Sequence, residues 1–371
     1  MPIKRYLDQL KRMHGLLTFA MVVLIVGSVA FIYSASYRGP DAPMPSLYKW
    51  QVVWFSLGLA LYLVVALVDY RLVCQWAAVW YALAIGLLLL VLLVGKSVHG
   101  SKSWLGFGGF GIQPAEFAKL AAITALSYYL FHRTQQQRRQ WATLLGAMAL
   151  VGLPVLLILA QPDLGSAMVL LPICFGLLFV AGVKVKHLIV VALIGLALLP
   201  VAWWQLKPYQ KARLTNFLHP ERDPINTGWN LNQSLIAVGT GGWTGKGYLQ
   251  GTQNQLGYMP RPVTPSDFLF TVIAEEKGFV GSVCVVGLYV VILFSGLRIA
   301  AEARDRLGML LATGVVAMLF FHVFINVGMT IGLMPITGLP LPLLSYGGSF
   351  VLASMTALGL LQNVWIHRRV Y

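Results

Sequence analysis

The chain has 371 residues, of which 58% are hydrophobic and only 11% charged, with a mean hydropathy of +0.75. A water-soluble chain of this size needs about 25% charged residues to cover its surface, so composition excludes a soluble protein and requires an integral membrane one. The formal net charge of +15 fits basic cytoplasmic loops and anionic membrane lipid; without a soluble basic domain, nucleic acid is not an expected partner.

Apolar runs of roughly 20 residues mark spanning helices. In chain order ten are expected, over about 16–36, 50–68, 76–95, 114–131, 142–160, 165–182, 187–204, 267–297, 308–333 and 346–366. The runs are continuous rather than alternating, which argues for an all-α membrane protein and against a barrel. The eighth and ninth runs are longer than a bilayer requires, so tilt or a break is expected there. Basic residues set the orientation. Lys4, Arg5, Lys11 and Arg12 precede the first span, Arg71 follows the second, and Arg133, Arg138 and Arg139 follow the fourth. Lys184 and Lys186 follow the sixth, Arg298, Arg304 and Arg306 the eighth, and Arg368 and Arg369 the tenth. The intervening loops hold only Arg38, Lys49, Lys96 and Lys102 on their short segments. Both termini are therefore expected in the cytoplasm. The first run lacks a convincing cleavage site and reads as an uncleaved span. Cys74, Cys174 and Cys284 lie in apolar segments and form no disulfide or metal spacing.

The chain reads as one membrane domain, residues 1–371, with one large extracytoplasmic loop, 205–266, between spans 7 and 8. A loop this long is usually functional or disordered, and its interleaved apolar residues (Leu231, Leu235, Ile236, Val238) favour short ordered helices. With the termini inside, every unusual polar cluster falls on the outer side: Gly100–Pro114, Gln161–Gly165, the 205–266 loop with Asp267, and Leu339–Ser349.

Each cluster has a structural and a functional reading. Asp267, where the loop meets the eighth span, is either a helix N-cap or a functional carboxylate at the membrane. Glu116 and Lys119 share a helix face, as an internal ion pair or as a Lys facing an anionic substrate. Asp163 suits a cap for the sixth span. Glu275 lies about 12 Å along a helix from Asp267, placed for a proton path or for pairing with Lys277. Leu339-Pro340-Leu341-Pro342 suits a re-entrant segment, tolerated at membrane depth only inside protein or along a cavity. His322 and Asn326 read as interhelical hydrogen-bonding residues.

Together these strings resemble the SEDS family of bacterial cell-wall polymerases typified by RodA, FtsW and SpoVE. The resembling stretches are Trp104-Leu105 through Gln113–Leu120, Gln161–Gly165, Arg213 through Pro220–Pro224, Gly228–Ser234, Gly245-Lys246-Gly247, Asp267-Phe268 with Ala274–Gly278, and Asn326–Met329 through Ser345–Gly348. They run in family order from about residue 100 to 350, and Gly251-Thr252-Gln253 is most similar to the RodA branch. One departure is the approach to Asp267: the family pattern Pro-Glu-x-His-Thr-Asp is replaced by Pro260–Asp267 without the His, so no role of that His or Glu carries over.

The resemblance implies a peptidoglycan glycosyltransferase that polymerises lipid II at the outer leaflet of the bacterial inner membrane, for elongation and rod shape. Asp267 would be the catalytic base, with Glu116, Lys119, Asp163, Arg213, Lys246, Glu275 and Ser345 as substrate-binding residues. Lys119, backed by Arg213 and Lys246, would meet the pyrophosphate leaving group. No resident cofactor is expected, though a divalent cation (Mg or Mn) bridging Asp267 and the pyrophosphate is left open. Implied partners are a class B penicillin-binding protein, since the chain has no Ser-x-x-Lys transpeptidase domain, other elongation-complex membrane proteins, and membrane lipid. Competing readings are a lipid II flippase or transporter, disfavoured by motifs confined to one side, a division polymerase like FtsW, and a non-catalytic scaffold.

Overall fold

The computed structural model describes residues 8–37, 46–98, 101–107, 110–218, 227–259 and 263–368. Lys4, Arg5, Arg38, Gly100, Pro220–Pro224, Pro260–Pro262 and Arg369 lie outside the described residues. In hydrocarbon a backbone must satisfy its own polar groups, and the apolar runs do so as helices. In order these are α1 (Gly15–Ser36), α2 (Leu47–Leu67), the short α3 (Tyr70–Gln75) and α4 (Ala77–Val94). After three short strands come α5 (Pro114–Phe131), the short α6 (Gln135–Arg138), α7 (Trp141–Ala160), α8 (Leu164–Val180) and α9 (Val185–Ala197). Seven helices among the described residues are long and apolar enough to cross a membrane: α1, α2, α4, α7 and three more over Leu269–Ala301, Arg306–Thr330 and Gly348–Ile366. The protein is thus a multi-pass, predominantly helical membrane protein. Helix α5 has a matching length but carries the charges of Glu116 and Lys119, and α8 and α9 are shorter.

The expected large loop is mostly helical. After α10 (Leu199–Gln205), which ends the run expected as the seventh span, it contains α11 (Pro208–Leu218), α12 (Thr227–Thr240), α13 (Thr252–Gln255) and α14 (Thr264–Asp267). Then follow α15 (Leu269–Ala301), α16 (Arg306–Thr330) and α17 (Gly348–Ile366). Most of α5, α16 and α17 is buried, so they form the centre of the bundle, whereas α1, α2, α4, α7 and α15 turn most of their surface outward. Helix α17 packs along α2, α16 against α8 and α15, and α15 against α1. Helix α9 stands at the periphery, with Leu188 its one buried residue.

The strands are β1 (Lys96–Val98), β2 (Ser101–Phe107) and β3 (Phe110–Ile112), an antiparallel sheet in the order β1-β2-β3. They add a small sheet to the expected all-α architecture, in a segment where glycines hide the two-residue alternation. The sheet is tied down at both ends. Lys102 donates to Leu92 O at 2.9 Å and Leu93 O at 3.1 Å, satisfying the last carbonyls of α4. Ser349 at the start of α17 accepts from Gln113 N at 2.9 Å and donates to Gly111 O at 3.3 Å.

Candidate active site

Asp267 closes the single turn of α14, which starts at Thr264 with Pro265 in its first turn. Its amide donates to Val263 O at 2.7 Å. Helix α15 then begins at Leu269 with Phe268 as its N-cap residue and no side chain capping it. The capping alternative for Asp267 is therefore not what the fold uses. Phe268 is buried and anchors the turn, leaving the Asp267 side chain half-buried.

Opposite this turn lies the segment between α16 and α17. Pro340 and Pro342 bar a helix here, and Leu339, Leu341, Leu343 and Leu344 bury it. A non-helical backbone at this depth needs partners for its carbonyls. They come one after another from surrounding elements. Arg213 on α11 donates to Thr337 O at 3.4 Å, Asn326 Nδ2 to Leu339 O at 2.7 Å, and His322 Nδ1 to Pro340 O at 3.2 Å. Tyr289 Oη donates to Pro342 O at 2.5 Å, Ser28 Oγ to Leu344 O at 2.6 Å, and Gln51 Nε2 to Ser345 O at 3.2 Å. Ser345 Oγ accepts from Leu341 N at 2.8 Å, and Tyr346 N reaches across to Pro265 O at 2.9 Å. Asn326 Nδ2 also donates to Asp267 O at 2.9 Å. The segment and the Asp267 turn thus form one hydrogen-bonded unit.

Gly338 sits at their junction. It has φ +76°, and a Cβ there would lie 3.4 Å from Asp267 Oδ2 and 4.0 Å from Arg213 Nη1. The Asp267 carboxylate and the Arg213 guanidinium therefore converge above one glycine. Such a pair offers a proton acceptor and a cation within reach of a single bound group.

Glu116 and Lys119 form the internal ion pair, with Lys119 Nζ 2.9 Å from Glu116 Oε1 and 2.8 Å from Oε2, both side chains buried. Lys119 Nζ also lies 2.9 Å from His322 Nε2. An ammonium only donates, so Nε2 accepts and the ring proton sits on Nδ1, facing Pro340 O. Asp163 is the N-cap of α8, accepting from Ser166 N at 3.1 Å, Ser166 Oγ at 2.8 Å and Gln113 Nε2 at 2.9 Å.

Helix α15 is broken at Gly278, with φ 64° and ψ −158°. The loop after α12 enters the break: Lys246 N and Gly247 N donate to Glu275 O and Glu276 O, each at 3.0 Å, and Phe279 N and Val280 N donate to Gly242 O at 2.8 Å and Trp243 O at 3.1 Å. A Cβ on Gly278 would lie 2.4 Å from Gly245 N, so only glycine admits this approach. Glu275 pairs with Lys246, at 2.7 Å, rather than with Lys277, and its Oε1 also accepts from Gln253 N at 2.9 Å and Thr252 Oγ1 at 3.2 Å. Glu276 accepts from Ser34 Oγ on α1.

The structure thus brings Asp267, Arg213 and Ser345 to one re-entrant unit, sets Glu116 and Lys119 behind it through His322, and places Lys246 and Glu275 at a separate loop anchor. Ser34, Thr337 and Gly338 were not singled out from sequence. Gly338 had one legible signal, a glycine just ahead of Leu339-Pro340-Leu341-Pro342. Among the described residues no three His, Cys, Asp or Glu side chains converge as metal ligands. The Arg213 guanidinium stands beside Asp267 over Gly338.

A multi-pass helical membrane protein whose carboxylate and guanidinium meet over a buried re-entrant turn belongs to the class of membrane-embedded polar-site proteins. The particular family follows from comparison. The family model described as "Cell cycle protein", which joins FtsW, RodA and SpoVE, matches residues 10–370. The peptidoglycan glycosyltransferase RodA of Treponema pallidum (strain Nichols) is 36% identical, covering 94% of this chain and 96% of its own. The peptidoglycan glycosyltransferase MrdB of Escherichia coli (strain K12) is 35% identical over 94% and 92%. Among solved structures, a chain of a peptidoglycan synthase complex that coordinates polymerization and crosslinking superposes with a TM-score of 0.78 at 35% identity, covering 96% of this chain and 98% of that one. The rod shape determining protein RodA of Thermus thermophilus does so with 0.69 at 31% identity, covering 95% of each. The chain belongs to the FtsW/RodA/SpoVE family, and it is a glycosyltransferase.

Proposed function

We propose that this protein polymerises lipid II into glycan strands at the outer leaflet of the inner membrane, in cell elongation. The observation that carries the reading is the convergence of Asp267 and Arg213 over Gly338. In the proposed reaction the acceptor sugar hydroxyl attacks the anomeric carbon of the donor. Asp267 takes the hydroxyl proton as the new C–O bond forms. The bond to undecaprenyl pyrophosphate breaks, and its electron pair leaves with the pyrophosphate. A positioned base contributes about 10²–10⁴-fold. Arg213 converges with that base over Gly338 and would face the departing charge. Lys246, partly exposed, is the next cation along the loop. Glu116, Lys119, Asp163 and Ser345, all engaged in internal contacts, support the site's frame, and Glu275 holds Lys246 at the loop anchor.

The proposed topology has ten spans, both termini in the cytoplasm and the 205–266 loop outside. Contacts between the basic turns support it. Arg71 pairs with Asp305 at 2.5 Å, Arg306 donates to Ala181 O, and Arg368 lies 3.8 Å from Glu302. The turns after spans 2, 6 and 8 and the end of span 10 therefore share one end of the bundle. A class B penicillin-binding protein is the proposed partner; the related synthase complex, described as coordinating polymerization and crosslinking, supports this. The elongation role rests on the Gly251-Thr252-Gln253 string.

The test is polymerisation by the purified complex with that partner, its transpeptidase blocked by a β-lactam. Wild type should yield glycan polymer from lipid II, and folded Asp267→Asn none. Equal polymer from both would remove Asp267 from the chemistry. No polymer from either would favour transport or scaffolding.

A further inference from the structure

The carbonyls of Leu339 and Pro340, next to Gly338, are held by two side chains of α16. Asn326 uses both amide hydrogens, one on Leu339 O and one on Asp267 O. His322 donates to Pro340 O. The two residues are four apart on one helix, so they project from one face. Asn326 is fully buried and His322 nearly so. Asn326 Oδ1 has no hydrogen-bond partner among the described residues. Its amide is therefore oriented by its two donated bonds alone, which makes those bonds its function in the fold. The orientation of His322 is set from the other side, because the Lys119 ammonium demands an acceptor at Nε2. The Glu116–Lys119 pair thus acts on the re-entrant segment through one ring.

We propose that His322 and Asn326 are positioning residues that together clamp Leu339 and Pro340 onto the Asp267 turn and so fix where Gly338 meets the Asp267 carboxylate. The proposal deepens the polymerase reading and rests on it for its kinetic consequence. Neither residue touches the reacting atoms. Their effect reaches the chemistry through the backbone, where a displacement of about 1 Å costs on the order of 10²-fold in rate.

Two near-isosteric variants separate the clamp from ordinary packing. An asparagine side chain places its amide nitrogen where Nδ1 stands, so His322→Asn keeps the donor to Pro340 O and drops the acceptor for Lys119. A glutamine reaches the Nε2 position, so His322→Gln keeps the Lys119 contact and drops the clamp. Asn326→Leu has a similar shape and removes both donors. Two readouts are taken on the full-length protein in complex with its transpeptidase partner: amide hydrogen exchange at Leu341 and Tyr346, and kcat and KM for lipid II. His322→Gln and Asn326→Leu should speed exchange at both amides and lower kcat by on the order of 10²-fold while KM stays within about threefold. His322→Asn should show wild-type exchange and kcat within about tenfold of wild type. Wild-type exchange and kcat in His322→Gln would overturn the proposal. So would His322→Asn failing as badly as His322→Gln, since the Lys119 contact would then be what matters. If the wild type itself makes no polymer, the functional reading fails, and the exchange data alone still decide whether the clamp exists.

Discussion

Removing the Glu275 anchor should loosen the 241–255 loop without unfolding the bundle. Glu275 is 1% exposed and holds Lys246 Nζ at 2.7 Å, Gln253 N at 2.9 Å and Thr252 Oγ1 at 3.2 Å through one oxygen. Hydrogen bonds to a charged group contribute about 1.5–3 kcal/mol each when fully buried. Lys246 is 24% exposed, so on losing its partner it recovers hydration, and its share falls toward the low end of that range. Glu275→Gln keeps the shape and one acceptor but removes the charge. We expect it to lower the local opening free energy of the loop by about 1–2 kcal/mol, a roughly 5- to 30-fold faster amide exchange at Gln253 and Gly247. Lys246→Met should give a similar change, and the double variant less than the sum, because the two singles break the same pair. Exchange is measured by mass spectrometry on detergent-solubilised protein, with the α16 and α17 amides as internal controls. Single variants within about 0.3 kcal/mol of wild type, or additive effects in the double, would show that the pair is solvated and that the backbone bonds at the Gly278 break hold the loop alone.

Other consequences are more direct. Lys119→Met strands the buried Glu116 carboxylate and should destabilise by about 3–5 kcal/mol, whereas Glu116→Gln with Lys119→Met should recover much of this; thermal unfolding of the two checks it. Gly338→Ala places a methyl at φ +76°, 3.4 Å from Asp267 Oδ2, and should cost about 1–2 kcal/mol of stability while abolishing polymer formation. Asp305 caps α16 through Gly308 N at 2.8 Å and holds Arg71 and Tyr70. Partial burial pushes its carboxyl up, but the Gly308 amide, the Arg71 guanidinium and the Tyr70 hydroxyl outweigh this and hold it below the ordinary aspartate value. A depressed carboxyl stabilises the fold above the unfolded value of about 3.9, and this is lost as pH falls through the lower folded value. Asp305→Asn should therefore cost about 0.5–2 kcal/mol at pH 7, and the difference from wild type should shrink steadily below about pH 4.

Spans were legible in the sequence because hydrocarbon imposes one rule on every segment. The run expected over 114–131 coincides with α5 despite Glu116 and Lys119, since their pairing removes the net charge that would oppose burial. The break in α15 was foreshadowed only by the length of its run. Its position was not legible, because Gly278 reads as one helix glycine among several until the Gly245 backbone is placed against it. The sheet at 96–112 escaped for a similar reason: glycines between and within its strands interrupt the alternation, and part of what fixes it is Ser349 on α17, remote in sequence. Asp163 read correctly as a cap because a cap is a local device. Asp267 could not be resolved locally, since a carboxylate before an apolar run suits a cap and a base equally. The start of α15 at Leu269, with Phe268 as its N-cap residue, argues against the cap.

The same contrast explains how the site is built. Four of the described acids have a structural employment visible in their contacts: Glu116 on Lys119, Asp163 on Ser166 and Gln113, Glu275 on Lys246, Glu276 on Ser34. Charged groups at membrane depth are costly unless paired, so a fold carrying five acids there needs partners for most of them. Glu116–Lys119 lies within α5 and Asp163–Ser166 caps α8, whereas Asp163–Gln113, Glu275–Lys246 and Glu276–Ser34 join separate elements. The turn itself is held by its backbone, through Val263 O, Asn326 and Tyr346. Fixing a turn by its main chain sets where the side chain it carries stands. The proposed base is thus carried on a turn whose main-chain bonds to Asn326 and Tyr346 fix its position, and its convergence with Arg213 over Gly338 is what supports the reading.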